Sequence, residues 1–225
     1  MTNTLHRFGD ADSFRDDYVV ICVPSRGRND ENVVPKLKQF LRMAMKYKPV
    51  NLGDSRHGGA LRPSQHMNPL AHWNRDNTPD FEGVINGLDV ATTAAAVFDS
   101  REAAEAFVKD VKAADLGVSI NISTSIEGAQ QCCQGAGLAR HSAGYSLGFE
   151  GKTEHLPSGD VLALATMCGH GMVSTSLARK MIDWVREGRR TPDQACSYLT
   201  RFCSCGVFNP ARARRILEDA RGKNQ

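Results

Sequence analysis

Apolar residues change period along this chain, and each change marks an element. Tyr18-Val19-Val20-Ile21-Cys22-Val23 is a continuous apolar, β-branched run stopped by Pro24, and it predicts a buried strand. Cys22 lies inside that run, where a thiol serves as a small hydrophobe. Met1 to Asp17, by contrast, is polar and predicts an extended or poorly ordered lead-in. After a polar loop from Ser25 to Asn32, Val34, Leu37, Phe40, Leu41, Met43 and Ala44 recur at helical spacing within Val33 to Tyr47.

Periodicity then disappears. Pro49 to Gly83 carries three His, three Arg, Trp73 and several Pro and Gly residues with no repeating pattern. A structureless stretch beyond ~15 residues in a compact domain is usually functional or disordered. Trp73, Met67 and Leu70 are residues that disordered segments lack, so an ordered loop packed over a pocket is predicted. Its histidines, His57, His66 and His72, are either pocket residues or solvated loop residues.

Regular elements resume after Asn86. Ala94 to Phe98 predicts a strand. Ser100 caps a helix through Ala114 whose apolar face is Ala103, Ala104, Phe107, Val108 and Val111. Gly117 to Ile122 alternates with period two, as a half-buried strand does. Ser125 to Gln134 predicts a helix closed by Gly135 and Gly137. Ser142 to Phe149 and Val161 to Thr166 supply two further candidate strands.

The last part of the chain is helical. Ser174 or Thr175 caps a helix through Arg186. Thr191 and Pro192 open a second that runs to Phe202, and Asn209 and Pro210 introduce a third over Ala211 to Arg221. Strands alternating with short helices predict an α/β or α+β fold. A ferredoxin-like or related sandwich is the specific expectation, followed by a C-terminal three-helix segment. The division expected is a core over 1–165 and a helical segment over 166–225, possible also as one continuous domain. There is no internal repeat and no low-complexity tract.

Composition narrows the class. The chain has 225 residues, 41% hydrophobic and 24% charged, ordinary for a globular protein. No run approaches the ~18 apolar residues of a membrane span, and the N-terminus lacks an apolar signal core. A cytoplasmic protein with no membrane partner is therefore expected. Seven cysteines in that setting favour metal binding or redox work over disulfides. The net charge of +3 is too small to imply nucleic acid. From Arg179 onward, however, eleven Lys and Arg face five Asp and Glu. Arg212, Arg214 and Arg215 on one helix admit docking on nucleic acid or an acidic protein. Acidic Glu218 and Asp219 one turn on, and the lack of interleaved aromatics, argue against a base-stacking surface.

The chemistry concentrates in two turns, Thr166 to Met172 with Cys168 and His170, and Phe202 to Gly206 with Cys203 and Cys205. The intervening helix pair doubles the chain back, so three thiols and an imidazole are expected to converge. Soft thiolates select zinc, copper(I) and iron–sulfur centres. Gly206 allows close backbone approach. Cys168, placed between a strand and a helix N-terminus, is expected to have a depressed pKa.

Four readings follow. Cys168, Cys203 and Cys205 hold a [4Fe–4S] cluster with one open iron; His170 completes a Cys3His zinc site; Cys168 is a nucleophile with a histidine base; or the thiols are free and buried. The absence of any CxxC, the spacing zinc sites usually show, places the cluster first.

The corresponding function is a metal-dependent lyase or sulfur transferase, with Cys168 and His170 in the reaction and a small anionic substrate. The alternative is a zinc-stabilised or electron-transfer module. Arg56, His57, Arg62, His66, His72 and His141 are the candidate substrate contacts, since arginine pairs bidentately with carboxylates and phosphates. Cys132 and Cys133 fall about 100° apart on a helix, so one should be core and the other near the surface. Cys196 lies on an apolar helix face and is expected to be packing. Neither nucleotide-binding glycine motif occurs, and a homo-oligomer is possible.

Overall fold

The apolar run that ends at Pro24 is the centre of the molecule. In the computed structural model, which describes residues 6–63, 79–142, 144 and 149–222, it forms strand β1 (Tyr18–Val23), buried at every position. Burial on both faces explains why the run is continuous rather than alternating. Helix α1 (Val33–Met45) follows, then strands β2 (Asn51–Asp54), β3 (Gly58–Gly59) and β4 (Arg62–Pro63). Helix α2 (Phe81–Gly87) leads into strand β5 (Ala94–Phe98), helix α3 (Arg101–Ala114), strand β6 (Ser119–Ser123) and helix α4 (Ile126–Gly135). Four further helices complete the chain: α5 (Gly159–Ala165), α6 (Thr175–Arg186), α7 (Pro192–Thr200) and α8 (Pro210–Gly222).

The described strands form one sheet of order β4-β3-β2-β5-β1-β6, with every neighbouring pair antiparallel. Within it, β1-α1-β2 and β5-α3-β6 are two crossovers, each spanning a strand of the other. That interleaving is the ferredoxin-like arrangement. The register sets the two faces. Val20 pairs with Ala96 and Ile122, and Leu52 also pairs with Ala96.

Alternation then sorts the side chains. Tyr18, Val20, Cys22, Leu52, Ala94, Ala96 and Phe98 pack with Phe40, Phe107 and the rest of α1 to α4. Val19, Ile21, Val23, Ala95 and Val97 pack against α5 to α8 on the opposite face. Cys22 and Cys196 are buried in these cores, and Cys132 is fully buried while Cys133 is half-buried.

Capping follows the sequence closely. Ser100, Ser125 and Ser174 accept from the backbone N–H three residues on, and Thr191 and Gln194 form a capping box. Elsewhere the structure corrects the expected elements. Val161 to Thr166 is not a strand: Val161 to Ala165 are all buried in helix α5. A short apolar run buried all round has no period to separate strand from helix.

The fourth strand of the ferredoxin-like set is β2, inside the stretch that showed no pattern. β2 has one apolar side chain, Leu52, and β3 has none, so neither carries a hydropathic signal. Ser142 to Phe149 lies mostly outside the described residues, as do His66, Met67, Leu70, His72, Trp73, Tyr145 and Ser146.

The lead-in is also corrected. Within residues 6–17, Phe14 and Asp17 are buried while His6, Phe8, Asp10, Ala11, Asp12 and Arg15 are exposed. Asp17 accepts from both Arg7 and Arg212, whose side chains are 2% and 0% exposed. A polar segment can be ordered when its charges find buried partners rather than water.

Candidate metal centre

Helix α5 ends at Ala165, and the chain turns through Gly169 and Gly171, both with positive φ. The Gly169 N–H donates to the Thr166 carbonyl at 2.8 Å, closing the first turn around Cys168. The second turn leaves α7 with the Cys203 N–H donating to the Thr200 carbonyl at 3.1 Å. Helix α6 and helix α7 pack against each other between the two turns, so both turns emerge at the same end of the helical layer.

The second turn is seated on the sheet by glycines. A Cβ on Gly206, at φ +74°, would stand 2.5 Å from the Gly53 amide nitrogen and 2.6 Å from its Cα. A Cβ on Gly59 would strike the Gly206 Cα. Backbone thus lies directly on backbone, a contact only glycine permits. Asn51, 1% exposed, adds a Nδ2–H donated to the Phe208 carbonyl at 2.9 Å.

These contacts bring three of the four candidate donors together as one set. The donor atoms of Cys168, His170 and Cys205 lie within 4.8 Å of one another. Cys203 and Cys205 place their sulfurs 3.7 Å apart, and Cys205 Sγ is 3.4 Å from His170 Nδ1. Cys168, Cys203 and Cys205 are buried, whereas His170 is exposed. All seven cysteines are free. Cys168, His170 and Cys205 are therefore a set that can hold a metal ion.

No protein-family model, curated protein or solved structure matches this chain. The site must be read from its own geometry.

Its electrostatics single out Cys203. Hydrogen bonds from the Cys168 and Cys205 thiols, joined by the backbone N–H groups of Cys205 and Phe208, hold the Cys203 thiol well below the ordinary range despite burial. The Phe208 N–H reaches Cys203 Sγ at 3.3 Å. Cys168 is pushed up to about 11, chiefly by its hydrogen bond to Cys203, and Cys205 is raised by its bonds to both other thiols. Of the three thiols, Cys203 is thus the most readily ionised.

This reverses the expectation for Cys168. It follows a helix rather than a strand, and the next helix, α6, begins only at Thr175.

The other sequence candidates lie elsewhere. His57 belongs to the turn after β2, where its Nδ1 is 3.1 Å from buried Asp54 and its Nε2 is 3.1 Å from Asp89. Asp54 follows Gly53 in the strand, so it projects to the face away from Gly206 and the thiols. Arg56 donates its N–H to Asp54 and lines a shallow open cleft with Arg26, Asp30, Ser55, Thr92 and Thr93. Arg62 is in β4, paired with Gly59 through the backbone. His141 is exposed beside Ser142.

The C-terminal arginines are engaged inward or along the surface. Arg212 is buried on Asp17, Arg215 pairs with Asp16 at 2.6 Å, and Arg214 with Asp193 at 2.5 Å. No helix among the described residues is long and apolar enough to cross a membrane.

Proposed function

We propose that Cys168, Cys203 and Cys205 bind one soft divalent ion of the zinc class, with His170 at the fourth, solvent-facing corner. The observation that carries this reading is the 3.7 Å between Cys203 and Cys205 sulfurs. A tetrahedron with metal–sulfur bonds of about 2.3 Å has edges of about that length. Thiolates bound to separate irons of a cluster stand farther apart. The 3.4 Å from Cys205 Sγ to His170 Nδ1 fits the shorter edge made by a metal–nitrogen bond of about 2.0 Å. These distances move zinc, the alternative at the level of sequence, ahead of the three-cysteine [4Fe–4S] cluster.

A closed Cys3His set is a structural combination. Here it would tie the turn after α5 to the turn after α7 and hold both against the glycines of β2 and β3. The role is a metal-stabilised fold.

A catalytic role has one observation in its favour. His170 is exposed between two glycines at positive φ, so it is the ligand that can swing away. Its departure would free one position for a small anionic substrate, the condition for the lyase or sulfur-transfer chemistry expected from the sequence.

Anaerobic purification followed by metal analysis and an absorption spectrum tests the reading. A colourless protein with one zinc per chain supports it. A brown protein carrying several irons per chain overturns it in favour of the cluster.

A further inference from the structure

Strands β5 and β6 flank β1, both antiparallel to it, so they run the same way and end side by side. Each passes directly into a serine-capped helix. Ser100 Oγ accepts from the Ala103 N–H at 3.2 Å where α3 begins, and Ser125 Oγ accepts from the Gly128 N–H at 3.0 Å where α4 begins. The opening residues of both helices line one cleft of about 500 Å³, within the range of small-molecule sites. Two positive helix ends therefore meet at one place. This is not the metal centre: Tyr18 and α3 belong to the layer on one face of the sheet, and Cys168, Cys203 and Cys205 pack on the other.

Helix ends alone specify no ligand, but polar groups without partners converge on the same cleft. Tyr18, the first residue of β1, sits between the two strand ends, paired with Phe98 and next to the Val19–Ser123 pair. It is 5% exposed and lines the cleft, and no described residue hydrogen-bonds its hydroxyl. Burial pushes that hydroxyl above its ordinary pKa, so it stays a donor. Arg101 Nη1 bridges to Gln131 Oε1 at 3.0 Å, while its buried Nε has no partner. Ser125, 6% exposed, spends its oxygen on the cap, and its proton has no acceptor among the described residues. Buried polar groups are nearly always bonded. All three groups here can donate, so what completes them is an acceptor.

Charge narrows the acceptor. The lining holds Arg15 and Arg101 against Asp99, Glu102 and Glu127. Arg15 is taken by Asp12 at 2.8 Å, and Arg101 also reaches Glu102 at 3.3 Å. A dianion such as phosphate would meet a net negative rim. Asp99 is exposed and forms no ion pair among the described residues, so it is free to hold a cation. One carboxylate for the donors and one ammonium for Asp99 answer both demands.

We infer that this cleft binds a free α-amino acid, its carboxylate on the Tyr18 and Ser125 hydroxyls and Arg101 Nε, its ammonium on Asp99. The site stands independently of what the cysteines hold.

Titration of the full-length protein with each common L-α-amino acid in turn, followed by nuclear magnetic resonance of the backbone N–H groups, tests the inference. At least one amino acid should give saturable shifts at Ser100 to Ala103 and at Ser125 to Gly128. Its carboxamide, acetate and inorganic phosphate should each bind more weakly. Tyr18→Phe removes only the hydroxyl and should weaken binding roughly 3- to 10-fold, the worth of one neutral hydrogen bond. Stability without ligand should not fall, because that hydroxyl has no partner to lose. Asp99→Asn should weaken the amino acid and leave acetate no weaker.

The absence of saturable shifts with every amino acid would mean that water alone completes these donors, and would overturn the site. Tighter binding of phosphate than of any amino acid would overturn the zwitterionic ligand. Unchanged affinity in Tyr18→Phe and in Asp99→Asn would place the ligand elsewhere.

Discussion

Gly206 lies backbone against backbone on Gly53, so close that a Cβ at position 206 would stand 2.5 Å from the Gly53 amide nitrogen. The cysteine turn is therefore built onto the backbones of β2 and β3 rather than suspended between helices. Two costs meet at this position. Alanine would have to hold φ +74° and also push apart the β2 and β3 backbones. Gly206→Ala should destabilise the apo-protein by about 3 kcal/mol in urea unfolding. It should also displace Cys205 and weaken metal binding. An unchanged unfolding midpoint would mean that the turn is free to lift away.

Ligand substitutions should separate buried corners from the exposed one. Cys168→Ser, Cys203→Ser and Cys205→Ser each remove a soft donor and should abolish stoichiometric zinc. His170→Ala should retain metal at reduced affinity, since water can take the solvent-facing corner. Equal loss in all four variants would show that His170 is as essential as the thiols. Stripping the metal with a chelator should lower stability by about 2.7 kcal/mol relative to protein held at a hundredfold excess of metal over its Kd. A melting temperature indifferent to the chelator would argue against a structural role.

The buried carboxylate and the surface one should differ sharply. Asp17→Ala strands two guanidinium groups in the interior and should cost about 3–5 kcal/mol. Arg215 is 19% exposed and Asp16 21%, so Arg215→Ala removes a partly solvated pair and should cost under about 1 kcal/mol. Paired urea curves measure the difference. Similar losses in the two variants would mean that water reaches Asp17.

Alkaline pH should unfold the apo-protein through buried thiols outside the candidate ligand set. Burial pushes Cys22 and Cys196 up to about 12. Below the ordinary thiol range both the folded and unfolded chains keep these protons, and stability is independent of them. Above that range the unfolded chain releases protons that the folded chain retains, so stability falls up to pH about 12. The slope is about 1.4 kcal/mol per pH unit for each thiol. Cys22→Ala should be less stable at neutral pH yet lose less on going alkaline. Parallel curves for variant and wild type would show that Cys22 is hydrated in the native state.

How much was legible depends on the kind of signal. Helices α3, α4, α6, α7 and α8 combine apolar spacing with caps or Pro at N1, two local signals that agree, and they form as expected. Strand β1 was legible because burial on both faces makes it uniformly apolar. β2 and β3 were not, because their role is close approach, and Gly53, Gly58 and Gly59 carry no hydropathic period. Helix α5 was mistaken for a strand for the opposite reason: every residue from Val161 to Ala165 is apolar, so no face stands out.

The same division holds at the candidate centre. Donor identity in Cys168, His170, Cys203 and Cys205, and the helix pair that folds the chain back between them, are properties of the sequence. Three things came only from tertiary structure: the 3.4 Å approach of Cys205 to His170, the lowered pKa of the Cys203 thiol beside Cys168, and the burial of Arg212 on Asp17. The physical reason is common to all three. A sequence specifies which side chains avoid water and which backbone shapes are local minima, but the charges and distances at a site depend on partners 35 to more than 190 positions away.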